Sequence, residues 1–243
     1  MRSAGPPLPI LALLAGGRGT RLAPLTEKIP KSMVEVAGEP FIAHQLRGYK
    51  GEGVRRVVIC AGILAEQIEA YLGDGSRFGL EVAFSLDGPK PLGTGGALRK
   101  ALPLLDDYFL VTYGDTLLDV RIPAMVGAFL AAGKPGLMTV LRNENQWDRS
   151  NVEFAAGVIH RYDKAHPTPA MAHIDYGMGI LRGEVLAERP AETPFDLADV
   201  YKKLAGQGAL AGFEVSRRFY EIGSPEGLAE TEQFLQGEDS TDP

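Results

Sequence analysis

Residues 10–33, ILALLAGGRGTRLAPLTEKIPKSM, decide how the rest of the chain is read. The stretch continues an apolar strand expected over 8–14, then breaks into the glycine-rich turn Gly16-Gly17-Arg18-Gly19. Two cations follow, Arg21 and Lys31. Glycines let a backbone turn sharply and bring its N–H groups close to an anion. Arg21 and Lys31 would add positive charge where a polyphosphate would lie. Two common glycine loops do not fit. A dinucleotide fingerprint requires a third Gly or Ala where Leu22 stands, and a P-loop requires a G-x-x-x-x-G-K-[ST] spacing that neither Gly16 nor Gly17 has.

The remainder of the chain bounds the class. Its 243 residues suit one large α/β domain as well as two small ones, and 45% hydrophobic with 23% charged residues is ordinary for a globular protein with a full core. The net charge of -6 disfavours DNA or RNA as a partner. The single cysteine, Cys60, excludes an intrachain disulfide or a Cys-based metal cluster, and its apolar surroundings read as a buried strand. No apolar run is long enough to span a membrane, and the N-terminal residues read as a short tail leading into the first strand. A cytoplasmic protein is expected. The four histidines lack H-x-x-x-H spacing, and no G-x-S-x-G elbow is present, so neither zinc nor a serine nucleophile is suggested.

Apolar periodicity predicts helices over 41–49, 63–72, 98–105 and 122–132, alternating with strands over 54–61, 80–85, 108–113 and 137–141. Such alternation predicts an α/β fold: a mostly parallel, Rossmann-like mixed sheet flanked by helices, with ligands beyond the C-terminal strand ends. Later segments at 151–154, 157–162, 174–181, 209–215 and 219–222 read as short strands, with helices over 195–205 and from Pro225 to 235. Ser224 is a suitable N-cap for the last helix. One domain is expected, with an alternating part over about 8–142 and a substrate-binding lobe over about 143–236 on the same sheet.

The pattern G-G-x-G-T-R-L over 16–22, followed by Pro30-Lys31, resembles the signature of the sugar-1-phosphate nucleotidyltransferases. Further matches are Leu92-Gly93-Thr94-Gly95-Gly96, Tyr113-Gly114-Asp115-Thr116 and the late segment 219–226. The resemblance extends over about 8–235 and is densest in the first half. Among subgroups, the compact enzymes acting on heptose, mannose or N-acetylmuramic acid phosphates are the most similar. The resemblance implies transfer of a nucleoside monophosphate from an NTP to a sugar 1-phosphate, with Mg²⁺ as cofactor. It implies Arg21 and Lys31 as catalytic cations and nucleotide contacts from Ala15, Gly16, Gly17, Gly19, Thr20, Thr94 and Gly95. It also implies Asp115 and Glu221 as metal ligands, and Asn151, Glu153 and Lys164 as sugar-phosphate contacts. Two departures stand out: the family often has Asp where this chain has Glu221, and a Glu-Lys pair where it has Asp163-Lys164. Plainer readings remain open: a helix start at Thr94-Gly95, a turn-capping Asp115, an edge-strand Glu221 and a solvated Lys164. A regulatory protein that binds a nucleotide sugar without turnover is the alternative on the same fold. The sequence leaves the oligomeric state open, a homodimer included.

Overall fold

The computed structural model describes residues 7–17 and 19–237. The expected N-terminal tail, Arg18 of the first turn and the acidic end at 238–243 lie outside the described residues.

Nine strands form one sheet in the order β5-β4-β1-β6-β11-β8-β12-β10-β9. They are β1 (Leu11–Leu14), β4 (Arg56–Ala61), β5 (Glu81–Leu86), β6 (Tyr108–Tyr113), β8 (Gly136–Arg142), β9 (Val152–Ala155), β10 (Val158–Tyr162), β11 (His173–Arg182) and β12 (Leu210–Val215). Two small ribbons stand apart, β2 (Glu35–Val36) with β3 (Glu39–Pro40), and β7 (Thr116–Leu117) with β13 (Tyr220–Glu221). The helices are α1 (Phe41–Gly51), α2 (Ala65–Leu72), α3 (Gly93–Ala101), α4 (Ile122–Ala132), α5 (Glu184–Ala187), α6 (Leu197–Gly206) and α7 (Pro225–Leu235). The first half is parallel throughout: β5, β4, β1 and β6 run side by side in one direction. The antiparallel part enters with β11, which lies between β6 and β8, and continues at the β12–β10–β9 edge. The sheet is therefore mixed.

Both faces are covered, as the continuous apolar strands require. Side chains alternate along β1. Leu11 and Leu13 join Ile42, Leu46, Ile68, Met125 and Phe129 on the α1/α2/α4 side. Ala12 and Leu14 join Leu98, Ala101, Leu197 and Tyr201 on the α3/α6 side. A smaller cluster of Leu22, Val34, Val36, Phe41 and Ile222 holds the segments after β1 against β13.

Two local expectations change. The helix predicted from 63 begins at Ala65, because Leu64 adopts a left-handed backbone (φ 61°) and Ile63 is 48% exposed, off the apolar face. The helix predicted over 98–105 begins already at Gly93 and ends at Ala101, so the glycines form its first turn rather than a loop before it. Ser224 caps α7 as predicted, accepting from Gly227 N. The helix after Pro194 takes its cap from Asp196, which accepts from Ala198 N.

Candidate active site

The C-terminal ends of β1, β4 and β6 border a cavity of about 280 Å³. Ala15, Gly16 and Gly17 line it after β1, Lys31 and Ser32 face it, and Tyr113, Gly114 and Asp115 close it after β6. Gly114 is needed for that closure. Its N–H donates to Leu14 O, and an added Cβ would stand 3.1 Å from the same carbonyl. The close approach seats Asp115 against the end of β1. Gln45 of α1 fixes the same turn from behind, donating to Tyr113 O and Thr116 O at 2.9 and 2.7 Å.

Lys31 follows Pro30, whose extended backbone leads into a single tight turn over Lys31–Met33. That turn aims Lys31 Nζ at Asp115 Oδ2, 2.7 Å away. Asp115 Oδ1 accepts from Thr116 Oγ1. Beside Lys31, the Ser32 hydroxyl is buried with no hydrogen-bond partner among the described residues, although its residue lines the cavity. Such an orphan group suits a site whose occupant supplies the partner.

Glu221 reaches this group through β13, whose register sets Glu221 opposite Thr116, with Ile222 N donating to Asp115 O. Arg21 arrives from the turn Thr20–Leu22. A Cβ on Gly223 would stand 3.0 Å from Glu221 Oε1 and 3.1 Å from Arg21 Nη2, so both groups flank the same glycine. Burial raises the Glu221 carboxyl above its ordinary range, and the negative charge of Asp115 adds to this, against the opposing pull of Lys31 and Arg21. Asp115 and this half-buried Glu221 form a donor set that Mg²⁺ fits. That ion takes one or two protein carboxylates and completes its shell with water and phosphate oxygens. Among the described residues no group of three or more His, Cys, Asp or Glu side chains converges as a fuller cage.

The other predicted residues divide. Thr94 lines the cavity, but its hydroxyl donates to Asp196 and accepts from Leu197 N, tying α3 to α6. Gly95 does not line it. Its N–H donates to Phe195 O, and a Cβ there would fall 2.2 Å from the Phe195 ring. Gly19 adopts a left-handed conformation (φ 60°) and accepts from Thr26 Oγ1, which shapes the loop, while Thr20 is exposed. Asn151, Glu153 and Lys164 are not among the cavity-lining residues, and two of them, Asn151 and Lys164, meet at Asp175. Asn151 Oδ1 accepts from Asp175 N, and Lys164 Nζ stands 3.5 Å from Asp175 Oδ2. Glu153 sits in register with Arg161 on the neighbouring strand. Asp163, beside Lys164, is taken up by Lys202 at 2.7 Å.

Asp175 is the residue that sequence reading undervalued. Its side chain is 5% exposed, and it accepts from Tyr162 OH and Gly177 N. The cavity-lining Tyr113 has its phenol pushed well above the ordinary value, first by burial and then by the charge of Asp175. Asp175 thus lies within electrostatic reach of the cavity wall and beside Lys164. Asp87, which lines the cavity from the end of β5, was not singled out either. A lone Asp before a glycine reads as a turn, and only the sheet order turns it toward the site.

Residues 11–163 match the nucleotidyl transferase family, and the chain belongs to it, among the sugar-1-phosphate nucleotidyltransferases. It is 30% identical to an N-acetylmuramate alpha-1-phosphate uridylyltransferase of Caulobacter vibrioides, across 93% of this chain and 96% of that one. It is also 30% identical to a UTP–glucose-1-phosphate uridylyltransferase of Synechocystis sp., across 81% of this chain but only 55% of the relative's length. For a mannose-1-phosphate guanylyltransferase catalytic subunit beta of Danio rerio the identity is 28%, across 88% of this chain and 61% of the relative. The chain thus spans only about half to six-tenths of several curated relatives. Among solved structures, HddC from Yersinia pseudotuberculosis shares the fold with a TM-score of 0.77 at 22% identity, covering 94% of this chain and all (100%) of that one. Among the described residues no helix is long and apolar enough to cross a membrane.

Proposed function

We propose that the protein transfers a nucleoside monophosphate from an NTP to a sugar 1-phosphate, releasing pyrophosphate in a Mg²⁺-dependent reaction. The observation that carries this reading is the convergence of Lys31, Asp115 and Glu221 beside a glycine-floored cavity, in a chain of this family. The sugar-phosphate oxygen attacks the α-phosphorus of the NTP. A new P–O bond forms there, the bond from the α-phosphorus to its bridging oxygen breaks, and pyrophosphate departs with the electron pair. The attacking oxygen is already an anion, so no general base is required. The obstacle is bringing two anions together, and catalysis rests on positioning and electrostatics. Lys31 neutralises charge between donor and acceptor. Arg21 and the backbone N–H groups of the loop after β1 hold the departing pyrophosphate. Asp115 and Glu221 would hold Mg²⁺, which supplies charge neutralisation at the phosphates. Lys164, set by Asp175, takes the acceptor phosphate, so the strands from β9 onward carry the sugar side of a single domain. A cytoplasmic location suits an enzyme that consumes NTPs. The test is incubation with Mg²⁺, an NTP and a sugar 1-phosphate, with pyrophosphate as the readout. Release that stops on adding EDTA supports the reading, and release unaffected by EDTA removes the metal from it.

A further inference from the structure

The cavity carries charge in two places. One is the Lys31–Asp115 pair after β6; the other is Asp87, after β5. In the order β5-β4-β1-β6 these strands are three spacings apart, about 14 Å at ~4.8 Å per strand. A carboxylate repels phosphates, so Asp87 belongs to the opposite end of a bound nucleotide, where the base lies. Its side chain reaches back over β4: a Cβ on Gly16 would stand 3.6 Å from Asp87 Oδ2. The carboxylate therefore borders the flat glycine floor. Leu92 N donates to Oδ2 at 3.2 Å and fixes it, while Lys100 Nζ is held by the Asp87 carbonyl rather than by the carboxylate.

Resting on the reading above, we infer that the base bound here is guanine, with the Asp87 carboxylate receiving its N1–H and N2–H. An ionised carboxylate only accepts, and two adjacent acceptors call for two adjacent donors. Guanine alone among the common bases presents a ring N–H beside an amino group on one edge. Uracil and thymine flank their single N–H with carbonyl oxygens, which the carboxylate repels. Adenine and cytosine set a ring nitrogen acceptor next to the amino group. Burial raises the Asp87 carboxyl above its usual value, against the Leu92 hydrogen bond and the charge of Lys100.

Equilibrium binding of GTP, ITP, UTP, ATP and CTP to the full chain with Mg²⁺ tests this. GTP is expected to bind tightest. ITP, which lacks only the N2 amino group, is expected to bind about 10- to 100-fold more weakly, the scale of one good base-edge contact. Asp87→Asn keeps an acceptor for Leu92 N and is expected to bring the GTP/ITP ratio to within about threefold. If that variant fails to fold, the wild-type ratio decides. Equal affinity for GTP and ITP, or a preference for any other base, overturns the inference and leaves the transferase reading standing. Failure of every triphosphate to bind overturns both.

Discussion

Replacing Lys31 with alanine removes the cation that faces Asp115 at 2.7 Å. At an effective dielectric of about 20, unit charges at that separation interact by about 6 kcal/mol. The Lys31 side chain is 12% and that of Asp115 33% exposed, so solvent screens part of this. Taking about half leaves roughly 3 kcal/mol, the range measured when one preorganised donor is removed from a developing negative charge. The same charge is asked to act between two phosphates in the transition state, so kcat of Lys31→Ala is expected to fall on the order of 100-fold. KM for the sugar phosphate should move far less. Initial rates of pyrophosphate release under saturating NTP give both constants. A kcat within threefold of the parent protein would show that Lys31 serves only to hold Asp115, and would refute its catalytic assignment.

Lys164 sits off the cavity beside Asp175, so Lys164→Ala is expected to raise the sugar-phosphate KM about tenfold while kcat stays within a few-fold; the same assay checks it, and equal kcat losses from Lys31→Ala and Lys164→Ala would remove the division of labour. If Glu221 holds the metal as proposed, its raised carboxyl places the acid limb of the rate profile above the ordinary carboxylate range, because the anion that would bind the metal is lost as pH falls through that value; a profile flat to pH 4.5 contradicts this. The same shift has a stability consequence. A carboxyl with a raised folded pKa favours the folded state fully below its unfolded pKa and loses that advantage as pH rises through the folded value. Glu221→Gln is therefore expected to melt higher than the parent at pH 7, with the gap closing in acid; a lower Tm at pH 7 contradicts it. Gly95→Ala drives a methyl into the Phe195 ring and is expected to cost about 1–3 kcal/mol in urea unfolding, and an unchanged midpoint would show that the ring moves aside freely.

The sequence exposed those parts of the site that lie along single stretches of chain. The strand, the glycine turn and Lys31 are contiguous, and Asp115 follows its strand directly, so local pattern located them. Glu221 is different. Its approach to Asp115 depends on β7 and β13, two-residue strands too short to carry periodicity, and only the family resemblance pointed to it. Thr94 and Gly95 look alike in sequence, yet one lines the cavity while the other packs under Phe195, because the helix begins at Gly93 and turns successive residues to different sides. Ile63 failed as a core residue because one left-handed residue, Leu64, ends the helical register before reaching it. Asp87 and Asp175 were weak signals for a shared reason. Each is an isolated carboxylate whose meaning comes from strand order and from distant partners, Gly16 for the first and Tyr162 for the second.

Pyrophosphate release with Mg²⁺, measured for each NTP crossed with a panel of sugar 1-phosphates, separates a transferase from a binding protein. Release is expected to require one particular NTP together with one particular sugar phosphate. No release from any pair, while an NTP still binds, would contradict it and leave a nucleotide-sugar sensor on the same fold.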